Sequence, residues 1–358
     1  MTGKELQKKL GWEFPDIAKK YPEQLEEAGR FCEGYKEFLN EGKTERECVK
    51  KAVELLEAAG YRPLDKNASY TAGDKVYMVN RDKALIATTF GREPLEKGLR
   101  INGAHIDSPR LDLKPNPLYE KEGLAYFKTH YYGGIRKYQW GTVPLAMHGV
   151  VYLEDGSKVE ISLGEKEGDP VFCVTDLLPH LAGEQSGRKL SEGLKGEELN
   201  IVVGSLPYED QEDVKEAVKL KALALLNQYY GMTEKDFLRA EIEMVPAYKA
   251  VDVGLDRGMI GAYGQDDRVC AYTALEAEMD VKEPFYTTVT ILTDKEEIGS
   301  VGNTGLHSDY VLHYIETLAE MAGADVKEVL THSLCLSSDV NAAYDPTFAS
   351  VYESRNSS

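Results

Sequence analysis

Residues 287–300 read Thr287-Thr288-Val289-Thr290-Ile291-Leu292-Thr293-Asp294-Lys295-Glu296-Glu297-Ile298-Gly299-Ser300. With Tyr286, the β-branched and aliphatic run predicts a buried strand over 286–293. A polar loop follows, with Gly299, Gly302 and Gly305 suited to a tight backbone path. Beyond it Val311, Ile315, Leu318 and Ala322 recur at helical spacing, and Gly323 stops that helix. An apolar strand, an acidic loop and an amphipathic helix together make one unit of an α/β sheet.

Working outward, the same texture fills the first hundred residues. Thr44 and Glu47 form a capping box before a helix that carries Val49, Ala52, Val53 and Leu56, with Gly60 as its stop. Residues 84–90 read as a buried strand closed by Gly91. Another β segment runs into His105-Ile106-Asp107-Ser108-Pro109. Pro109 cannot donate to a central ladder, so that strand should finish near Asp107. Between 110 and 246 the texture changes. A hairpin of 150–153 and 158–163 surrounds Asp155-Gly156, and Val214, Val218, Leu225, Leu226 and Tyr229 mark a helix before Gly231. Ala240, Ile242 and Met244 then alternate with Glu241 and Glu243 up to Pro246. We expect a mixed α/β domain in two parts, 1–109 and 247–358, interrupted by a β-rich insertion at 110–246.

The 358 residues carry 61 acidic side chains against 42 Lys and Arg, a formal charge of −19. That surplus argues against a nucleic-acid partner, which needs clustered cations. No apolar run approaches the about 20 residues that cross a bilayer, and residues 1–21 have no secretory h-region. The five cysteines are scattered without a CxxC pair, and they read as reduced, mostly buried thiols of a cytoplasmic protein. HExxH, GxSxG, P-loop and GxGxxG signatures are absent.

What remains is a set of acids and one imidazole at predicted strand ends and helix starts. In His105-Ile106-Asp107 the residues two apart share a strand face, so Asp107 can accept the far ring N–H of a metal-bound His105. Taken alone, the motif is more ordinarily a strand-end His tied to a carboxylate without metal. Asp266-Asp267 stands before a helical pattern, where N-capping and the helix dipole account for both acids locally. Glu296-Glu297 ends the strand quoted first. Ordinarily such a pair is a solvated turn, but two carboxylates there can also split ligand and proton-accepting roles. Asp339 follows the apolar run 334–336. His105, Asp266, Glu297 and Asp339 together supply the N/O donors of a two-zinc hydrolytic site.

Four ordered motifs carry a resemblance: AHIDSPRL (104–111), GAYGQDDR (261–268), DKEEIGS (294–300) and SSDVNAAYDP (337–346). With them the chain resembles, over essentially its whole length, the aspartyl aminopeptidase and vacuolar aminopeptidase I family of zinc metallopeptidases, in its bacterial aminopeptidase I-like branch. The resemblance implies a mixed-sheet zinc-peptidase domain interrupted by a β-rich dimerisation domain. It implies two zinc ions per subunit in the complete enzyme, with Co²⁺ and Mn²⁺ as alternatives. His105, Glu297 and Asp339 would be ligands and Asp266 the bridging carboxylate. Asp107 would orient His105, and Glu296 would be the general base. It further implies peptide substrates and dimers that build a larger assembly, a dodecamer in the family pattern. Lys137 falls in a segment resembling one that reaches a neighbour's active site.

Three departures accompany the match. Lys295 stands where the family has His, Ala342 and Asp345 replace two histidines after Asp339, and the family's last metal-binding His lies about a hundred residues beyond residue 358. We therefore expect a truncated chain that holds at most one metal tightly, with a strand edge uncovered near Asp339. None of His307, His313 and His332 is a convincing substitute ligand. The expected activity is removal of N-terminal amino acids from peptides. A catalytically impaired assembly subunit and a metal-dependent amidohydrolase or deacylase are the alternatives.

Overall fold

The computed structural model describes residues 1–12, 17–209 and 214–357. One sheet is six-stranded and mixed, in the spatial order Arg62–Pro63, Lys75–Asn80, Ala84–Thr89, Thr288–Thr293, Arg100–His105, Leu334–Ser337. The last three strands are mutually parallel, with Thr293 paired to His105 and Ser337 to Gly103. Their C-terminal ends therefore lie side by side, where open α/β sheets expose their ligand-binding loops. This register brings residues more than two hundred positions apart to one edge.

Both faces of the central strands of this sheet are covered, as their uninterrupted apolar runs require. Leu85, Ala87, Ala104 and Leu292 face a core formed with helices Pro22–Glu41, Glu45–Ala58 and Gln265–Asp280. Ile86, Ile101, Val289 and Ile291 face the opposite core, closed by Tyr310–Ala322 and Val326–His332. The Thr44/Glu47 capping box is present in full. Helix Pro22–Glu41 was not expected from the sequence, although Pro22 opens it and Tyr35, Phe38 and Leu39 are its buried anchors. The strand expected to finish near Asp107 ends at His105.

A second sheet of seven antiparallel strands uses only residues within 110–246, in the order Lys158–Leu163, Leu145–Tyr152, Ala240–Pro246, Arg110–Lys121, Leu124–Tyr132, Ile201–Gly204, Cys173–Val174. Arg110–Lys121 and Leu124–Tyr132 form a long hairpin around Glu122-Gly123, both at positive φ, as a two-residue turn demands. The register of this hairpin sets Tyr132 opposite Arg110. Helix Ala217–Tyr230 packs Val218, Ala222 and Leu226 into the core of this sheet.

The two sheets meet at a buried ionic seam. Glu45, fully buried on its helix, lies 2.9 Å from Lys83 Nζ and 3.2 Å from Arg110 Nη1. Arg110 also reaches Asp112 at 2.9 Å and Glu243 at 3.2 Å. Burial alone would raise the Glu45 carboxyl, but Arg110 and Lys83 outweigh it and hold the group below the usual range. Glu243 goes the other way, pushed well up by burial and by the neighbouring Glu45 and Asp112 charges.

Two expectations need comment. Only Cys48 is buried; Cys32, Cys173 and Cys270 are half-buried and Cys335 is exposed, because four of the five sit on half-covered or open faces of their elements. The uncovered edge expected near Asp339 is present. All four residues of Leu334–Ser337 are exposed, Leu334 at 63% and Leu336 at 69%, with a neighbouring strand on one side only.

Candidate metal centre

Where the Arg100–His105 strand ends, the chain turns through a fully buried carboxylate, Asp107. Its Oδ1 accepts the Glu296 backbone N–H at 3.2 Å and lies 3.3 Å from His105 Nδ1. Its Oδ2 accepts the Glu297 backbone N–H at 3.2 Å and the Tyr132 hydroxyl at 2.6 Å. Burial opposes the charge, yet the hydrogen bonds from His105 and Tyr132 hold Asp107 below its usual pKa. The His105 Nδ1–H also donates to the Asp107 carbonyl at 2.9 Å, which fixes the ring and turns Nε2 outward.

His105 Nε2 is buried and has no hydrogen-bond partner among the described residues. It lies 3.3 Å from Asp266 Oδ1 and 3.8 Å from Glu296 Oε2. Burial pushes the imidazole down, but the Asp107 and Asp267 charges outweigh it and raise the pKa to about 9. Positive charge is thus favoured at this nitrogen, where a proton and a divalent cation are alternatives.

Asp266 and Asp267 begin helix Gln265–Asp280 with non-helical backbone angles, and the position before the helix is Gly264. The capping account of these acids is therefore not what holds them. Arg268, fully buried, donates to the Ile106 and Lys43 carbonyls, both at 3.1 Å, and Ser108 Oγ donates to the Asp266 carbonyl at 2.8 Å. These bonds tie the helix start to the loop after His105. Sequence reasoning passed over Asp267. Its carboxylate is fully buried, neither oxygen has a hydrogen-bond partner among the described residues, and burial with the Asp339 and Asp266 charges pushes it up to about 6. The only available signal was its adjacency to Asp266.

Glu296–Ile298 is a single 3₁₀ turn set between Lys295 and Gly299, both at positive φ. Thr304 Oγ1 donates to Asp294 Oδ2 at 2.6 Å and the Lys295 N–H to Oδ1 at 2.8 Å, closing the glycine-rich loop upon itself. Burial and the Asp266 charge push Glu297 up to about 7. Gly133, from the other sheet, packs so closely that a Cβ there would lie 3.1 Å from Glu297 Oε2.

The ligand atoms of His105, Asp266 and Glu297 lie within 4.8 Å of one another, as do those of His105, Asp267 and Asp339. His332 lies elsewhere, with Nδ1 donating to the Glu96 carbonyl at 2.8 Å, and His307 and His313 are exposed. Lys137 is on the turn Lys137–Trp140 with its Nζ 5.5 Å from the Tyr131 ring centre. An orphaned imidazole nitrogen facing borderline and hard oxygen donors suits zinc, so the residues present fit that ion.

A mixed sheet with such a donor cluster at the ends of its parallel strands has the make-up of a metallohydrolase. Residues 38–358 match the family described as aminopeptidase I zinc metalloprotease, M18. A probable M18 family aminopeptidase 1 from Clostridium acetobutylicum is 48% identical over 96% of this chain and 76% of its own length. The crystal structure of an M18 aminopeptidase from Thermotoga maritima superposes with a TM-score of 0.88 at 47% identity, covering 92% of this chain and 73% of that one. A yeast mApe1 dodecamer shares the fold, with a TM-score of 0.72 at 22% identity over 91% and 75% of the two chains. The chain belongs to the M18 aminopeptidase family of zinc metalloproteases. It spans about three quarters of the length of the relatives it matches.

Proposed function

We propose that this aminopeptidase cleaves the first peptide bond of peptides at a zinc site that His105, Asp266, Glu297 and Asp339 would hold, with Asp266 as the bridging carboxylate where two ions bind and Glu296 as general base. The observation that carries the reading is His105 Nε2, buried, unpartnered and aimed at Asp266 and Glu296. Zinc held there would supply Lewis acidity, which would polarise the scissile carbonyl and make water a better acid. The remaining steps belong to the chain. Glu296, exposed at the mouth of the cluster, takes a proton from the attacking water and returns it to the leaving amine. Asp107 keeps the His105 ring turned and holds the backbone of Glu296 and Glu297 in place. The acidic surroundings also favour a substrate's free α-ammonium group, which makes the enzyme an exopeptidase.

The β-rich part, 110–246, is the dimerisation domain in this reading, and the dimers build a larger assembly in the cytoplasm. Lys137 serves the active site of a neighbouring copy. Among the described residues no helix is long and apolar enough to cross a membrane.

The test pairs Glu296→Gln with Glu297→Gln, measuring zinc content and turnover on a panel of aminoacyl anilides, leucine and aspartate included, with added Zn²⁺, Mn²⁺ or Co²⁺. Glu296→Gln should keep zinc and lose turnover, whereas Glu297→Gln should lose zinc. Identical behaviour in both assays refutes the division of roles. Sedimentation showing only monomers of about 40 kDa removes the assembly.

A further inference from the structure

One contact to the zinc-site scaffold comes from the wrong sheet. Tyr132 is the last residue of the Leu124–Tyr132 strand in the seven-stranded sheet, yet its hydroxyl donates to Asp107 Oδ2 at 2.6 Å. The placement follows from register. Arg110 starts its strand three residues after Asp107, and Tyr132 is its partner across the hairpin, so the phenol is delivered to the turn that leaves the His105 strand. The ring is pinned by the Arg110 guanidinium, 3.8 Å from its centre, and Lys295 Nζ lies 5.5 Å from the same centre. Arg110 is itself fixed by Glu45 and Asp112. Immediately after Tyr132, Gly133 abuts the Glu297 side chain, so the strand end touches two parts of the site at once.

We infer that Tyr132 is a positioning residue for zinc binding and turnover, acting through Asp107 on the His105 ring and on the Glu296-Glu297 backbone. The inference rests on the site reading above. Without the phenol, Asp107 Oδ2 keeps only the Glu297 N–H among the contacts described, and the carboxylate is held less firmly against His105. Burial together with the Asp107 charge holds the phenol protonated far above neutrality, so it donates at every working pH. A hydroxyl donating to a buried carboxylate is charge-assisted and among the stronger hydrogen bonds. Losing such an outer partner costs about 10–100-fold in metal affinity or activity.

Tyr132→Phe tests this, because the ring and its contact with Arg110 remain while the hydroxyl is lost. Zinc affinity is measured by competition with a chromophoric chelator, alongside kcat, KM and thermal melting, on the full 358-residue chain. Tyr132→Phe should weaken zinc binding about 10–100-fold and lower kcat with KM little changed. Tyr132→Leu should add a drop in melting temperature through the lost ring packing. Glu297→Gln runs in parallel. If it weakens zinc binding while Tyr132→Phe matches wild type, the positioning role falls and the site stands. If Glu297→Gln holds zinc as well as wild type, or wild type holds none, the site reading falls and this inference with it. Should Tyr132→Phe fail to fold, difluorotyrosine at 132 retains ring and hydroxyl but alters donor strength. A threefold or larger change in zinc affinity then supports the role, and no change overturns it.

Discussion

Two neighbouring parallel strands of one sheet end at residues proposed to hold zinc, Arg100–His105 at His105 and Leu334–Ser337 just before Asp339. They end in different physical circumstances. The first is flanked by strands on both sides, its His is 2% exposed, and the following carboxylate accepts three hydrogen bonds from two separate segments. The second is an edge strand with all four residues exposed, and Asp339 accepts only the next backbone N–H, from Val340 at 2.7 Å, among the bonds described. One half of the site is preorganised by the fold, and the other is held by a local turn. Preorganised groups act without reorganisation when substrate binds, so the chemistry belongs with the first half.

The largest effect should come from removing the proposed base. Glu296→Gln should cost about 10²–10⁴-fold in kcat or more while zinc content stays near wild type. A loss confined to KM would shift the chemistry away from the preorganised half.

The next effect separates the two strand ends without any zinc. In urea unfolding with a chelator present, Asp107→Asn should destabilise by about 1–3 kcal/mol, because buried donors lose a charged acceptor. Asp339→Asn should stay within about 0.5 kcal/mol, as an exposed substitution does. Equal costs would abolish the contrast.

A smaller effect sharpens it. Asp267 titrates at about 6 in the fold, against about 3.9 for an unperturbed Asp. The folded chelated protein therefore binds this proton more tightly than the unfolded chain, and stability is lost as pH rises through that window. Asp267→Asn should gain on the order of 1 kcal/mol over wild type at pH 7 and nothing below about pH 4. A constant difference across the range would assign the effect to packing. The smallest expected change is in Leu336→Lys on the exposed edge, within about 0.5 kcal/mol.

Much of this was legible in the sequence where the determinants are local. The capping box at Thr44, the alternation at Ala240–Pro246 and the apolar run into Asp294 each report their own element. His105, Asp266, Glu297 and Asp339 at the strand ends were also named in advance, because in combination they supply a metal's donor set although each alone has an ordinary structural use, whereas Asp267 was not. What was not legible depended on pairing at a distance. Nothing near Tyr132 announces that the hairpin register carries it to Asp107. The reading of Asp266 as a helix cap was locally sound. It failed because Arg268 is buried against the backbone of another loop, which sets the entry into that helix.

The seam of Glu45, Lys83, Arg110 and Glu243 has a consequence for anyone who would exchange parts between relatives. Residues 110–246 look like a cassette, since every strand of their sheet is their own. Yet Arg110 is on the cassette while Glu45 and Lys83 are on the host. A donor cassette lacking Arg110 leaves a fully buried carboxylate facing one lysine, and stranding a buried charge costs about 3–5 kcal/mol. The unit of transplantation is the cassette together with positions 45 and 83, and a graft that ignores them starts with a large part of an ordinary domain's stability already gone.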